Sequence, residues 1–565
     1  MNAPIPMEEI RRRAQAWMAS DPDSYMASAV AAQLQMNHEP ELRRCFTSRL
    51  KFGTAGIRGL IGPGPGNMNQ ALIRLVTTGL ARYLLDTVPD AATRGVVVGH
   101  DARQGSELYA RETAMVLSGA GIRVIFCRPL APTPLVAFGV KHLGAAAGVV
   151  ITASHNPPDY NGYKVYWENG AQIIPPHDTG ISAAIDAVAD TALSAPNLGN
   201  TTIFEAPASL EQDYLTAIAD QLAHVEIQAA DEAISTVYTP LHGVGAPLYE
   251  AAMEQEGLAY FTVPEQREPD GAFPTVAFPN PEEKGALDMS LALAHSKGSA
   301  LIMANDPDAD RLALVVRADG KLRPLSGDET GAVFGDALLE ALGRERIASE
   351  KAFVARSMVS AELLDAVATH HGATCFETLT GFKWLWNTAL ARIAKGERFV
   401  FAYEEALGHS VGPAVHDKDG IGAAILAARI ARSSRGIYSR LCEIFERHGY
   451  LGTRQQSIVD ASPGGIERHG RRMDAMRIEP PTSVAGIEVA RTRDFGVGGE
   501  LPQTNCVAWW LSDGTRIMLR PSGTEPKLKV YVQLTEPWSD GARSRAEARL
   551  DALHASVLKF IEPLG

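Results

Sequence analysis

A chain of 565 residues, 45% apolar and 21% charged, is too long for one core, and about 100–200 residues per domain points to four domains. A net charge of -13 excludes a global field that attracts nucleic acid or an anionic membrane, so an anionic substrate needs locally placed cations. Five scattered cysteines without a C-x-x-C pair exclude a thiolate metal site and a secreted disulfide framework, which fits a cytoplasmic protein.

The N-terminal run MNAPIPMEEIRRRAQAW lacks an apolar h-region and reads as an exposed amphipathic helix, and no later apolar run is long enough to span a bilayer. Next comes KFGTAGIRG, where Arg58 stands among glycines and can bring a guanidinium to a phosphate; an ordinary flexible loop reads the same way. From Arg94 to Ser154, Val/Ile-rich runs alternate with amphipathic segments, the pattern of βαβ units. The unit ends in ITASHNPP, whose prolines stop the strand and display Ser154 on a rigid turn, with His155 and Lys164 as a nearby proton acceptor and positive charge. Ser194–Ala206 reads as a linker.

The same pattern returns in STVYTPLHGVG, LAYFTV and SALIMAND, and the last of these runs into NDPDADR. Asp306, Asp308 and Asp310 alternate, so in an extended segment they face one way and converge on a hard cation. An EF-hand reading fails, because the sixth position is Arg311 and the twelfth Arg317. A third unit follows in KAFVARSMVS, ATCFETLTGF and RFVFAYEEALG, with Lys383 in GFKW and Glu404 and Glu405 placed to accept hydrogen bonds from sugar hydroxyls or simply to begin a helix. Ile478–Ala490 reads as a second linker or surface loop. The last segment, RIMLRPSGTEPKLKVYVQL, puts Arg520, Ser522, Gly523 and Thr524 in one tight turn with Lys527 beside it, a donor set suited to phosphate. The fold class is therefore α/β: three similar mixed α/β domains and a C-terminal α+β domain around a central active-site cleft, divided as 1–210, 211–325, 326–450 and 451–565.

Taken together and in this order, TASHNP, DPDADR, FAYEEALG and RPSGTEPK resemble the α-D-phosphohexomutase superfamily over nearly the whole chain. KFGTAGIRG, GFKW and PAVHDKDG are similar to the branch holding bacterial phosphoglucomutases and phosphomannomutases and the animal phosphoglucomutase/phosphopentomutase pair. The resemblance implies an isomerase acting by intramolecular phosphotransfer. Ser154 is then the phosphoryl carrier, and Asp306, Asp308, Asp310 and a phosphoserine oxygen are the Mg²⁺ ligands. Arg58, His155 and Lys164 assist at the reacting hydroxyl, with Lys164 ranked above His155 as general base. Arg311, Lys383, Glu404, Glu405, Arg520, Ser522, Gly523, Thr524 and Lys527 are implied to bind substrate. The sugar loop departs from the Gly-Glu-x-Ser pattern of many relatives, since Tyr403 precedes Glu404 and Ala406 stands at the serine position.

The expected reaction interconverts the 1- and 6-phosphates of a hexose, glucose before mannose, through a bisphosphorylated sugar, with glucose 1,6-bisphosphate as activator. Phosphopentomutase and glucose 1,6-bisphosphate synthase are the nearest alternatives, and a phosphomonoesterase or a non-catalytic sugar-phosphate sensor are more distant ones. The expected partner is a small sugar phosphate, without nucleic acid or membrane, bound by a monomer or homodimer.

Overall fold

The computed structural model describes residues 5–53, 56–189, 198–225, 234–460, 462, 464–499, 501–522 and 526–564. By internal contacts the chain forms two units, Met1–Leu325 with Ala406–Ser434, and Ser326–Glu405 with Arg435–Gly565.

The first unit opens with helices Met7–Ser20, Ser24–Gln35 and Glu39–Phe46. The first of them is not merely an exposed amphipathic element: Ile10 and Ala14 join Val30, Leu42, Cys45 and Phe46 in a small core of their own. Two sheets follow. In the first, the wholly buried strand Val96–His100 lies parallel to Ala147–Ile151 and Val124–Phe126, as its unbroken β-branched run requires. Tyr160–Trp167 runs antiparallel to Ala147–Ile151 and is itself flanked by Gly56–Leu60. The far edge is Ile203–Glu205, inside the stretch read as a linker; three residues carry too little alternation to reveal a strand. In the second sheet Ser235–Thr239 is parallel to Ala259–Thr262 and Leu301–Ala304, and Leu301–Ala304 pairs antiparallel with Ala313–Ala318.

The second unit contains the parallel strands Thr374–Thr378, Ala352–Ser357 and Arg398–Glu404, with helices such as Gly327–Leu342, whose start is fixed by a capping box between Ser326 and Glu329. Its other sheet is antiparallel, running from Tyr450–Val459 through Lys527–Glu536, Arg516–Pro521 and Val507–Leu511 to Ile487–Asp494 and Ser483–Val484. The last two strands take up part of the stretch Ile478–Ala490 that reads as a linker or surface loop. The four sheets and their helices give the expected four-domain α/β architecture with a C-terminal α+β domain. Among the described residues no helix is long and apolar enough to cross a membrane.

Candidate active site

The buried strand Ala147–Ile151 delivers the chain to Thr152, whose hydroxyl accepts a hydrogen bond from the Ser154 amide at 2.8 Å. Ser154 itself has φ 53, a left-handed conformation that costs a non-glycine residue about 1–2 kcal/mol. The turn does not display Ser154 outward. The residue is only 3% exposed, and its Oγ donates to Asp306 Oδ2 at 2.8 Å and lies 3.2 Å from His155 Nδ1.

Asp306, Asp308 and Asp310 do converge, with one oxygen from each within 4.8 Å of the others and all three buried. Strand alternation is not the cause. The strand ends at Ala304, and the aspartates sit on a turn that passes through Pro307 and through Ala309 at φ 55. Gly243 allows this close approach, because a Cβ there would fall 2.4 Å from the Pro307 backbone.

Burial, together with Asp310 and Asp308, pushes the Asp306 carboxyl well above its ordinary range. Burial also works against ionised Asp308, but Lys164 Nζ at 2.7 Å and Thr133 Oγ1 at 2.6 Å outweigh it and hold that carboxyl below its usual value. Asp310 is pushed up by burial and by Asp308, and is brought below its usual value by Lys164 and Lys418, each 3.0 Å from Oδ2. Two further oxygens, Asp308 Oδ1 and Asp310 Oδ1, are buried without a hydrogen-bond partner. Acceptor-only oxygens left bare beside a third carboxylate are what a hard divalent cation needs, so the residues fit one.

Around this cage stand the other expected groups. Arg58 pairs across its strand with Gly162 and donates from Nη1 to Asn156 Oδ1 at 2.9 Å. Arg311 reaches Asp306 at 3.9 Å, Asp310 at 4.0 Å and Glu282 at 3.7 Å. Burial pulls the Lys164 ammonium down, but Asp308, Asp310 and Asp417 more than compensate and hold it above its usual value. Lys164 Nζ as found donates to both Asp308 and Asp310. Burial, then Arg311 and Arg58, push His155 well below the usual histidine value, leaving a neutral ring.

Three contributors escaped the sequence reading. Lys418 sits between Asp417, which accepts from Tyr166 at 2.5 Å, and Asp419, which accepts from Tyr214 at 2.6 Å and caps the helix Gly420–Ala431. A lysine between two aspartates reads as a solvated turn; only the buried tyrosines show otherwise. Thr133, at the start of the helix Thr133–His142, also donates its backbone N–H to Asp308 O at 3.0 Å. Arg103 is the third.

In the second unit, Glu404 ends its strand and its Oε1 accepts from the Gly381 amide at 2.6 Å, tying the FAYEEALG stretch to the start of GFKW. Lys383 lies there with Nζ 6.0 Å from the Trp384 ring. Glu405 Oε2 is taken by the hydroxyls of Ser357 at 3.2 Å and Ser360 at 3.0 Å. Arg520 pairs with Lys529 on the neighbouring strand, and the Ser522 amide donates to Lys527 O at 2.8 Å. Gly523 and Thr524 lie outside the described residues.

Four family models match in succession: phosphoglucomutase/phosphomannomutase α/β/α domain I over residues 49–192, domain II over 212–320, domain III over 326–448 and the C-terminal domain over 486–549. This chain belongs to the phosphoglucomutase/phosphomannomutase family. It is 35% identical to the phosphopentomutase of Homo sapiens, across 97% of this chain and 95% of that one. It is 36% identical to a probable phosphoribomutase of Schizosaccharomyces pombe (91% and 92% covered) and 36% identical to a probable phosphomannomutase of Haemophilus influenzae (82% and 92%). Among solved structures, a putative phosphomannomutase from Thermus thermophilus shares the fold, with a TM-score of 0.69 at 23% identity over 91% of this chain and 99% of that one. The mutase therefore carries isomerase chemistry by phosphotransfer, within the superfamily its motifs resemble.

Proposed function

We propose that this mutase interconverts the 1- and 5-phosphates of ribose or deoxyribose, with Ser154 as phosphoryl carrier. The chemistry rests on one observation: the Ser154 hydroxyl is bonded to Asp306 inside a buried three-carboxylate cage. The pentose preference is supported by the phosphopentomutase and phosphoribomutase relatives, and it replaces glucose as first choice. Ala406, where the Gly-Glu-x-Ser pattern has a serine hydroxyl, fits a site that does not read a hexose in that pattern's way.

In the forward half-reaction a sugar hydroxyl oxygen forms a bond to the phosphorus on Ser154, the P–Oγ bond breaks, and the hydroxyl proton passes to a base, giving a bisphosphorylated sugar. In the second half Ser154 Oγ forms a bond to the phosphorus of the other phosphate, the bond from that phosphorus to its sugar oxygen breaks, and that oxygen takes the proton back from the base. Positioning and charge neutralisation carry most of this chemistry. Asp306, Asp308 and Asp310 would hold Mg²⁺, which supplies charge neutralisation at the transferred phosphoryl oxygens when bound. Lys164, Lys418, Arg58 and Arg311 surround the same point with fixed positive charge. Lys164 and His155 are the candidate proton acceptors in this reading; His155 Nδ1 lies 3.2 Å from Ser154 Oγ. Arg520, Ser522 and Lys527 provide phosphate donors, and Glu404 an acceptor for sugar hydroxyls.

The test is a coupled assay with ribose, deoxyribose, glucose and mannose 1-phosphates, Mg²⁺ and trace glucose 1,6-bisphosphate. The expected ranking places both pentoses above both hexoses in kcat/KM. A hexose ranking first overturns the pentose assignment, and turnover by Ser154→Ala equal to the native chain overturns the phosphoserine.

A further inference from the structure

Ser154 has to keep one position through two opposite transfers while standing in a conformation that an L-residue rarely adopts. Its amide is fixed by Thr152. Its carbonyl is fixed by Arg103, whose Nη2 donates both to Ser154 O and, at 2.6 Å, to Asn156 O. The other terminal nitrogen, Nη1, donates to Pro157 O at 2.7 Å and Tyr160 O at 3.3 Å. One planar guanidinium thus collects four carbonyls from a single loop, which a lysine cannot do, because its ammonium is a compact point charge without the fork.

The rest of the arginine is equally enclosed. Its side chain is wholly buried beside Asp101, with Nε 3.2 Å from Oδ2, and Asp101 Oδ1 accepts from the Arg103 amide at 3.0 Å and from Ser106 Oγ at 2.6 Å. The guanidinium carbon lies 4.9 Å from the centre of the buried Phe273 ring, on the stretch that follows Arg267 in the next domain. That stretch comes so close that a Cβ on Gly271 would stand 2.6 Å from the Arg103 Cα. Burying an arginine costs several kcal/mol unless its charge and donors are met; here the loop carbonyls take both terminal nitrogens, Asp101 stands 3.2 Å from Nε as counter-charge, and the Phe273 ring covers the guanidinium, while Nε itself has no hydrogen-bond partner.

We infer that Arg103 is the positioning residue of the Ser154 loop, holding the serine in register with Asp306, Asp308 and Asp310, and that Phe273 holds Arg103 in turn. This rests on the reading of Ser154 as phosphoryl carrier. Displacement of a reacting group by about 1 Å costs about 100-fold in rate, so the effect belongs in transfer and not in sugar binding.

The experiment follows phosphate on Ser154 by intact-protein mass spectrometry after rapid mixing of the full-length dephosphorylated enzyme with Mg²⁺ and glucose 1,6-bisphosphate, alongside steady-state kinetics. Arg103→Met should slow both Ser154 phosphorylation and kcat by about 100-fold while the sugar-phosphate KM stays within about 3-fold. Arg103→Lys, which keeps the charge but not the fork, should lose about 10-fold, and Phe273→Leu less than that in the same direction. The inference is overturned if Arg103→Met keeps kcat within about 3-fold, or if the loss falls on KM while Ser154 phosphorylation is unchanged. Should Arg103→Met not fold, a folded Arg103→Lys with native phosphorylation kinetics overturns it equally. Absence of phosphate on the native Ser154 overturns the underlying reading instead.

Discussion

In the first unit, Ser154, Lys164 and the three aspartates are almost withdrawn from water, and each is held by charged or hydroxyl partners; Thr133, Lys418 and Arg103 add further fixed contacts. In the second, Glu404, Arg520, Ser522 and Lys527 are half-buried at the ends of strands and in a turn, within reach of water. Bond-making needs charges fixed before the substrate arrives, since dipoles already oriented cost no reorganisation during the reaction. Recognition needs groups that meet water in the free enzyme and exchange it for sugar and phosphate oxygens. The two regions should therefore fail differently: the first in kcat, the second in KM.

The sharpest way to break that contrast is Ser154→Ala. Without the hydroxyl there is no carrier, and turnover should fall by more than about 1,000-fold with no phosphate recovered on the protein by mass spectrometry. Next in size is Lys418→Met, which takes from Asp310 one of its two ammonium partners. It should lower kcat by about 10- to 100-fold and change the sugar-phosphate KM by less than about 3-fold. A Lys418→Met enzyme altered in KM alone would move this lysine into the recognition group. Arg520→Ala is the opposite case: loss of a charge-assisted phosphate contact, worth about 1.5–3 kcal/mol, should raise KM about 10- to 100-fold with kcat within about 3-fold. If kcat falls instead, the turn acts in transfer and the division of labour between the two regions is wrong.

The same contrast explains what could be read from the chain. TASHNP and NDPDADR concentrate the candidate residues in short contiguous runs at strand ends, so Ser154 and the aspartates that meet in the fold were legible as a group, although their burial and the turn that gathers them were not. Thr133 and Lys418 reach the aspartates, and Arg103 the Ser154 loop, from places far apart in the chain, and nothing local distinguishes a lysine in HDKDG from a solvated one. The parallel strands announced themselves by unbroken Val/Ile runs, whereas the edge strands Ile203–Glu205 and Ser483–Val484 are too short to show a period and owe their existence to neighbours supplied by the fold. At Glu404 and Glu405 a residue's type says least: the two are adjacent and chemically identical, yet one accepts from the Gly381 amide and the other from two serine hydroxyls.

The smallest expected effect tests whether the second unit also hides a charge at a cost. Asp328, near the start of the helix Gly327–Leu342, is buried, and its Oδ1 accepts from the Ala361 amide at 2.7 Å and the Tyr403 hydroxyl at 2.9 Å. Burial pushes its carboxyl up to about 6 from an ordinary 3.8, against those two hydrogen bonds. Because the folded value is raised, the protonated form favours the native state: its contribution is complete below the ordinary value and is lost as pH rises through about 6. Asp328→Asn keeps an acceptor oxygen and carries no charge. It should therefore melt slightly above the native chain at pH 4.5 and further above it at pH 8, with about 2 kcal/mol between the two conditions. Thermal melts of both proteins across that range decide it. A difference that stays constant with pH would mean that Asp328 is at ease as a carboxylate and that its burial carries no such cost.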